Sequence, residues 1–162
     1  MLIGFLGCQQ ALGMESGAIS GAQISASSDA DGSHVPSQGR LNFQETLSKT
    51  GSWAAGTNYF NQWLLIDLGS HHTKVTCLAT QGRNYRYNWP PGSHSQWVTK
   101  YKFQYSNDGW NFQYFKEQGQ SADKVKRVYL TEMITTNLEL STINNILIKA
   151  KDEFKLQLNL IS

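Results

Sequence analysis

Cysteine, proline and charge are all scarce in this sequence: 2 Cys, 3 Pro and 16% charged residues in a chain of 162. Two cysteines, Cys8 and Cys77, permit one disulfide at most and do not decide between an oxidising and a reducing compartment. Neither sign of charge dominates, since 14 basic residues face 12 acidic ones for a net charge of +2. That balance argues against a nucleic-acid partner, which needs a strongly basic face. No apolar run approaches the roughly 18 residues that cross a bilayer, so no transmembrane segment is expected. The candidates are stretches such as Leu64-Leu65-Ile66 and Ile146-Leu147-Ile148. Residues 1–7 (MLIGFLG) are apolar but lack a basic start and a small-residue cleavage site, and read at most as the remnant of a signal peptide or leader. There is no G-x-S-x-G, H-E-x-x-H, phosphate loop or C-x-x-C, so no enzyme activity, catalytic residue or cofactor is expected. N-x-Ser/Thr sequons, fixed-period repeats and low-complexity tracts are absent as well.

What the chain has is 40% hydrophobic residues with 5 Trp, 7 Tyr, 7 Phe and 14 Gly, a mixture of rings and turn formers that favours a single β-rich domain. Gln23 to Ser27 is a short strand candidate. Gln62 to Gly69 (QWLLIDLG) reads as a strand buried on both faces, with Trp63 and Asp67 as core residues and Asp67 hydrogen-bonded internally. Thr73 to Gln81 is rich in β-branched residues, and Val98 to Ser106 alternates Tyr101, Phe103 and Tyr105 with polar neighbours. Asn107-Asp108-Gly109 predicts a hairpin into Asn111 to Lys116. Phe154 to Leu160 alternates as a half-buried strand that should pair into the sheet, whereas Val128 to Leu140 fits strand or helix.

Three loops separate these strands. Ser28 to Gln38 carries Asp29, Asp31 and His34; Lys49 to Asn61 carries Trp53, Tyr59 and Phe60; Arg83 to Gln96 carries Tyr85, Tyr87 and Trp89 around Pro90-Pro91-Gly92. Rings on exposed loops can stack on a sugar, enter a bilayer interface or anchor a protein contact, or they can fold back to pack the loop. Asp31, His34, Trp53, Tyr59, Arg83, Tyr85, Tyr87 and Trp89 are the candidate ligand-binding residues. Asp29-Ala30-Asp31-Gly32 looks like a fragment of a calcium loop, but Arg40 stands where an EF-hand needs its twelfth-position Glu, so that reading fails. His71-His72 reads as a solvent-side pair at a turn, and Arg40 and Arg83 as loop ties or ligand contacts.

Six ordered blocks then carry a resemblance: LGMESG at 12–17, QISASS at 23–28, Gly39-Arg40-Leu41, WLLIDLG at 63–69, ATQGR at 79–83 and YSNDG at 105–109. Over residues 8–120 the chain resembles the discoidin, or coagulation factor 5/8 type C, domain; residues 121–162 diverge. The resemblance implies one all-β domain over 8–162, a jellyroll β-sandwich or barrel with ligand-reading loops, called spikes, at one end. It implies a secreted or cell-surface module that binds carbohydrate or glycoconjugate in adhesion. The alternatives it implies are binding to anionic phospholipid such as phosphatidylserine, or recognition of protein, as in collagen- or neuropilin-type members. Because some members hold a structural calcium in a loop, it makes Asp29 and Asp31 weak calcium candidates, and it also implies a terminal cysteine bonded to the first one. The chain closes instead on Leu160-Ile161-Ser162, so no disulfide is expected and Cys8 and Cys77 are taken as free thiols.

Overall fold

The computed structural model describes residues 11–59, 61–69, 73–83, 98, 100–116, 125–127, 134–143, 145–150 and 157–161. The architecture is all-β, with single 3-10 turns at Gly21–Gln23 and Pro36–Gln38. The strands are β1 (Ile24–Ala26), β2 (Trp63–Asp67), β3 (Thr73–Gln81), β4 (Lys100–Ser106), β5 (Gln113–Tyr114), β6 (Val125–Arg127), β7 (Ile134–Ile143), β8 (Asn145–Ala150) and β9 (Gln157–Ile161). They form two antiparallel sheets: β1-β2-β8-β4-β5, with β6 also on β4, and β7-β3-β9.

The alternation in the sequence accounts for the core between the sheets. Leu64 and Ile66 of β2 and Tyr101 and Phe103 of β4 point inward from the larger sheet, meeting Val75 and Leu78 of β3 together with Met14, Ile19, Ile24, Trp53 and Val98. β2 is half-buried rather than enclosed on both faces: Leu64 and Ile66 are buried, Trp63 and Leu65 are partly exposed, and Asp67 is exposed. Asp67 is therefore no core carboxylate. It closes the strand by accepting the Gly69 amide on Oδ1 at 2.8 Å, where Gly69 takes a φ of 82°.

Of the segment that fitted strand or helix, residues 128–133 lie outside the described residues and the rest is resolved by its partner. Ile134–Ile143 lies along β3, whose extended edge satisfies β-branched residues such as Thr135, Thr136 and Thr142 as strand. Two register shifts, between Thr73 and Val75 and between Val75 and Cys77, insert extra residues into β7 and curve this sheet over the core. β9 pairs with β3 as the alternation required, and β8 is seated between β2 and β4.

Cys77 is disulfide-bonded, which corrects the expectation of free thiols. Among the described residues there is no free cysteine, and the sequence's other cysteine, Cys8, lies outside them. The physical reason lies in the sheet. Cys77 is paired in register with Ile161 of β9, so a cysteine one strand over stands beside the place where a terminal-strand cysteine would sit. Position along the chain was a poor guide, because neighbours in the sheet decide which residues can be bridged.

The β4–β5 connection runs from Asn107 to Phe112, longer than a tight Asp-Gly hairpin, and is built around one carboxylate. Asp108 Oδ1 accepts the amides of Trp110 (2.9 Å) and Asn111 (2.8 Å) and the Ser106 hydroxyl (2.8 Å). Asp108 Oδ2 accepts Asn111 Nδ2 at 2.6 Å. The Asn111 amide and side chain, then the Trp110 amide and the Ser106 hydroxyl, hold the Asp108 carboxyl well below the usual carboxylate range.

Two outcomes are expected. Denatured, unreduced protein should show no reactive thiol in a thiol assay, and reduction should cost about 2–4 kcal/mol in a denaturant titration. Free thiols before reduction would contradict the bridge. Because the folded pKa of Asp108 is depressed, its stabilisation is complete above the ordinary aspartate value of about 3.9 and is lost as pH falls below it. The melting temperature of Asp108→Asn should therefore trail wild type at neutral pH and converge with it in acid; a gap that does not change with pH would refute this.

Candidate functional site

Strand register fixes which loops share an end. Ala26 pairs with Leu64, Trp63 with Lys149 and Tyr101 with Ala150, so the end of β1 and the starts of β2 and β4 lie together. Thr80 Oγ1 lies 3.5 Å from the Tyr101 hydroxyl, which brings the end of β3 over the same place. The chain between β1 and β2 and the residues leaving β3 thus form one loop-bearing end.

Polar side chains knit that end together. Gln62 Oε1 accepts the hydroxyls of Ser27 (2.6 Å) and Ser28 (2.7 Å), while its Nε2 donates to Thr57 Oγ1 at 3.1 Å. Ser27 Oγ in turn accepts the Trp63 amide at 3.0 Å, and Ser28 Oγ the Gly56 amide at 3.0 Å. A Cβ on Gly56 would stand 2.7 Å from the Asp29 carbonyl oxygen, so only glycine allows this close approach.

Trp53 is 1% exposed and donates its indole N–H to the Ser28 carbonyl at 3.0 Å. This removes it from the candidate ligand contacts: the ring packs into the core and anchors its loop. Asp31 and His34 come together at the first spike. Asp31 Oδ1 accepts the Ser33 amide (2.8 Å), the Ser33 hydroxyl (2.6 Å) and His34 Nδ1–H (2.9 Å). The Ser33 hydroxyl first, then the His34 ring and the Ser33 amide, hold the Asp31 carboxyl well below its usual range, so it is ionised on an exposed surface. Among the described residues no group of three or more His, Cys, Asp or Glu is placed to hold a metal ion.

Among the described residues of these loops, Arg40, Lys49 and Arg83 each bond a protein acceptor. Arg40 is buried and donates to the Met14 carbonyl at 2.7 Å; Lys49 Nζ donates to the Gly32 carbonyl at 3.0 Å. Arg83 is partly buried and pairs with Glu45 at 3.5 Å, tying the 42–48 loop to the end of β3. Tyr59 is 77% exposed at the foot of β2. Asp29 is exposed, with its carbonyl against Gly56. Tyr85, Tyr87, Trp89, Phe60 and His71-His72 lie outside the described residues. Two features escaped the sequence reading. Leu47 is fully exposed, and its one signal is an isolated apolar residue in the polar run Gln44 to Lys49; Gln62 is the loop hub, hidden at the margin of a strand.

Gly56→Ala should cost about 1–3 kcal/mol in a denaturant titration, because its methyl group would displace backbone. Gly32→Ala, with open space around its Cβ, should stay within about 0.5 kcal/mol of wild type. Equal effects would show that the Asp29–Gly56 approach is not a packing constraint.

Comparison with known proteins agrees with this geometry. The family model of the F5/8 type C domain matches residues 23–145, which corrects the expectation that the resemblance ends at residue 120. The human EGF-like repeat and discoidin I-like domain-containing protein 3 is 38% identical over 125 residues, covering 74% of this chain and 24% of that protein. The chain thus spans about a quarter of the length of that relative. Wild-type discoidin II of Dictyostelium discoideum superposes with a TM-score of 0.69 at 20% identity, over 85% of this chain and 52% of that one. A Streptococcus pneumoniae fucose binding module superposes with a TM-score of 0.58 at 15% identity, over 85% of this chain and 89% of that one. Both structures share the fold. With the family model spanning most of its length, the chain belongs to the F5/8 type C, or discoidin, family of non-catalytic binding modules.

Proposed function

We propose that this domain is an extracellular recognition module that binds carbohydrate or glycoconjugate at its loop-bearing end, with Tyr59 as a stacking ring. The observation that carries the reading is the electrostatic character of the described residues at that end. Arg40, Lys49 and Arg83 are each committed to protein acceptors, while Asp31 is ionised and exposed. An anionic membrane requires the reverse, cations outward and acids withdrawn. A neutral, hydroxyl-rich ligand fits an exposed ring among Ser, Thr, Asn and Gln groups. The structural neighbour named as a fucose binding module supports the same ligand class. The disulfide at Cys77 supports an oxidising, extracellular setting.

A second reading, lipid-surface binding, is favoured by one observation: Leu47 is fully exposed and Phe43 in the same loop is 36% exposed. Such a tip can enter the interfacial region of a bilayer without charge attraction.

A glycan array and vesicle sedimentation on the same preparation separate the two. Wild type should bind glycans and leave phosphatidylserine vesicles in the supernatant. Tyr59→Ala should weaken the best glycan about tenfold, the scale of one lost ring contact, while Tyr59→Phe retains it. Leu47→Ser should change neither result. Vesicle binding that Leu47→Ser abolishes, without any glycan signal, would replace the first reading with the second.

A further inference from the structure

The opposite end of the sandwich carries its own cleft. Ser106 pairs with Asn145 and Asp67 with the same residue, which places the Asn107–Phe112 turn at the far end of the sheet from Tyr59. Tyr105, Ser106, Asn107, Asp108, Asn111 and Gln113 line a cleft of about 180 Å³ there. Trp110, in the same turn, is 88% exposed, the most exposed aromatic ring among the described residues.

From these features we propose a second saccharide-binding site, with Trp110 as its stacking platform and the Asp108–Asn111–Gln113 cleft taking the hydroxyls of one sugar ring. The site is separate from the loop-bearing end and does not depend on the function proposed for it.

Five properties argue for this ligand class. The lining holds hydroxyl, amide and carboxylate groups but no Lys or Arg, which disfavours phosphate, sulfate or acidic ligands. Asp108 spends Oδ1 on three internal donors but Oδ2 on only one, so acceptor capacity remains on Oδ2. Asn111 uses Nδ2 and its own amide internally, which leaves its carbonyl oxygen for a hydroxyl donor, and Gln113 is exposed beside it. The turn is also preorganised: Asp108 fixes the amide of Trp110, so the backbone that presents the indole is ordered before a ligand arrives. The cleft is smaller than the usual range for drug-sized ligands and suits a single pyranose. A module with sites at both ends would bridge two glycans as a monomer.

Amide-resolved NMR titration of the intact domain with galactose, fucose and N-acetylglucosamine tests this. At least one sugar should shift amides in residues 105–113. Trp110→Ala, whose ring supports no described packing, should weaken those shifts at least tenfold, and Gln113→Ala should weaken them while leaving the Asp108 hydrogen bonds intact. Tyr59→Ala should leave them unchanged. No shift at 105–113 with any sugar, or shifts indifferent to Trp110→Ala, would overturn the site. Concentration-dependent self-association that Trp110→Ala abolishes, with no sugar shifts, would overturn it in favour of a second copy of the chain. Shifts at 105–113 without any at 57–59 would sink the stacking role proposed for Tyr59 and leave this site standing.

Discussion

One long-range pairing organises the molecule. β8, drawn from residues 145–150, sits between β2 and β4 and holds the larger sheet together, with Leu64 opposite Ile148 on one side and Phe103 opposite Ile148 on the other. Neither β2 nor β4 can complete its hydrogen bonding until that late segment arrives, and the entropy of closing so long a loop precedes the reward. The smaller sheet follows the same logic: β3 waits for β7 and β9, both from the last third of the chain. Residues 134–161 therefore supply the central strand β8 of the larger sheet and both edge strands, β7 and β9, of the smaller one.

Most of the framework was legible because its signal is local. Period-two alternation in Tyr101-Phe103 and the β-branched run of Thr73–Gln81 report one-sided or deep burial directly. What failed depended on partners that the sequence does not show. Trp53 read as a loop ring because its neighbours are Gly and Ser, yet a loop can deliver a ring to the core when its indole N–H finds a carbonyl such as that of Ser28. Cys77 read as a free thiol because its family's terminal cysteine is missing from the chain's close, whereas a bridge is decided by which residues lie near each other in the sheet. Residues 134–143 were ambiguous by periodicity, and the edge of β3 decided them.

The candidate binding end was legible in place but not in detail. Sequence located the loops; hydrogen bonds sorted their residues. Arg40, Lys49 and Arg83 would look available to a ligand in a list of side chains, and each proves to hold the loops in position. Asp31 organises its own turn and still faces solvent, because an ionised carboxylate has acceptor sites left after Ser33 and His34 are served. Rigidity and recognition thus draw on the same short polar side chains. The two most exposed rings among the described residues, Tyr59 and Trp110, stand at opposite ends of the strands.

The location of the covalent link sets how the domain carries mechanical load. Tension arriving through Ile161 pulls first on the β3–β9 hydrogen bonds, since β9 is an edge strand with β3 as its one partner in the sheet. Cys77 belongs to β3, so the linked strand lies one step behind the strand that feels the force. Under pull from that side, β9 can detach as a unit while the covalently secured strand and the core beneath it keep their shape.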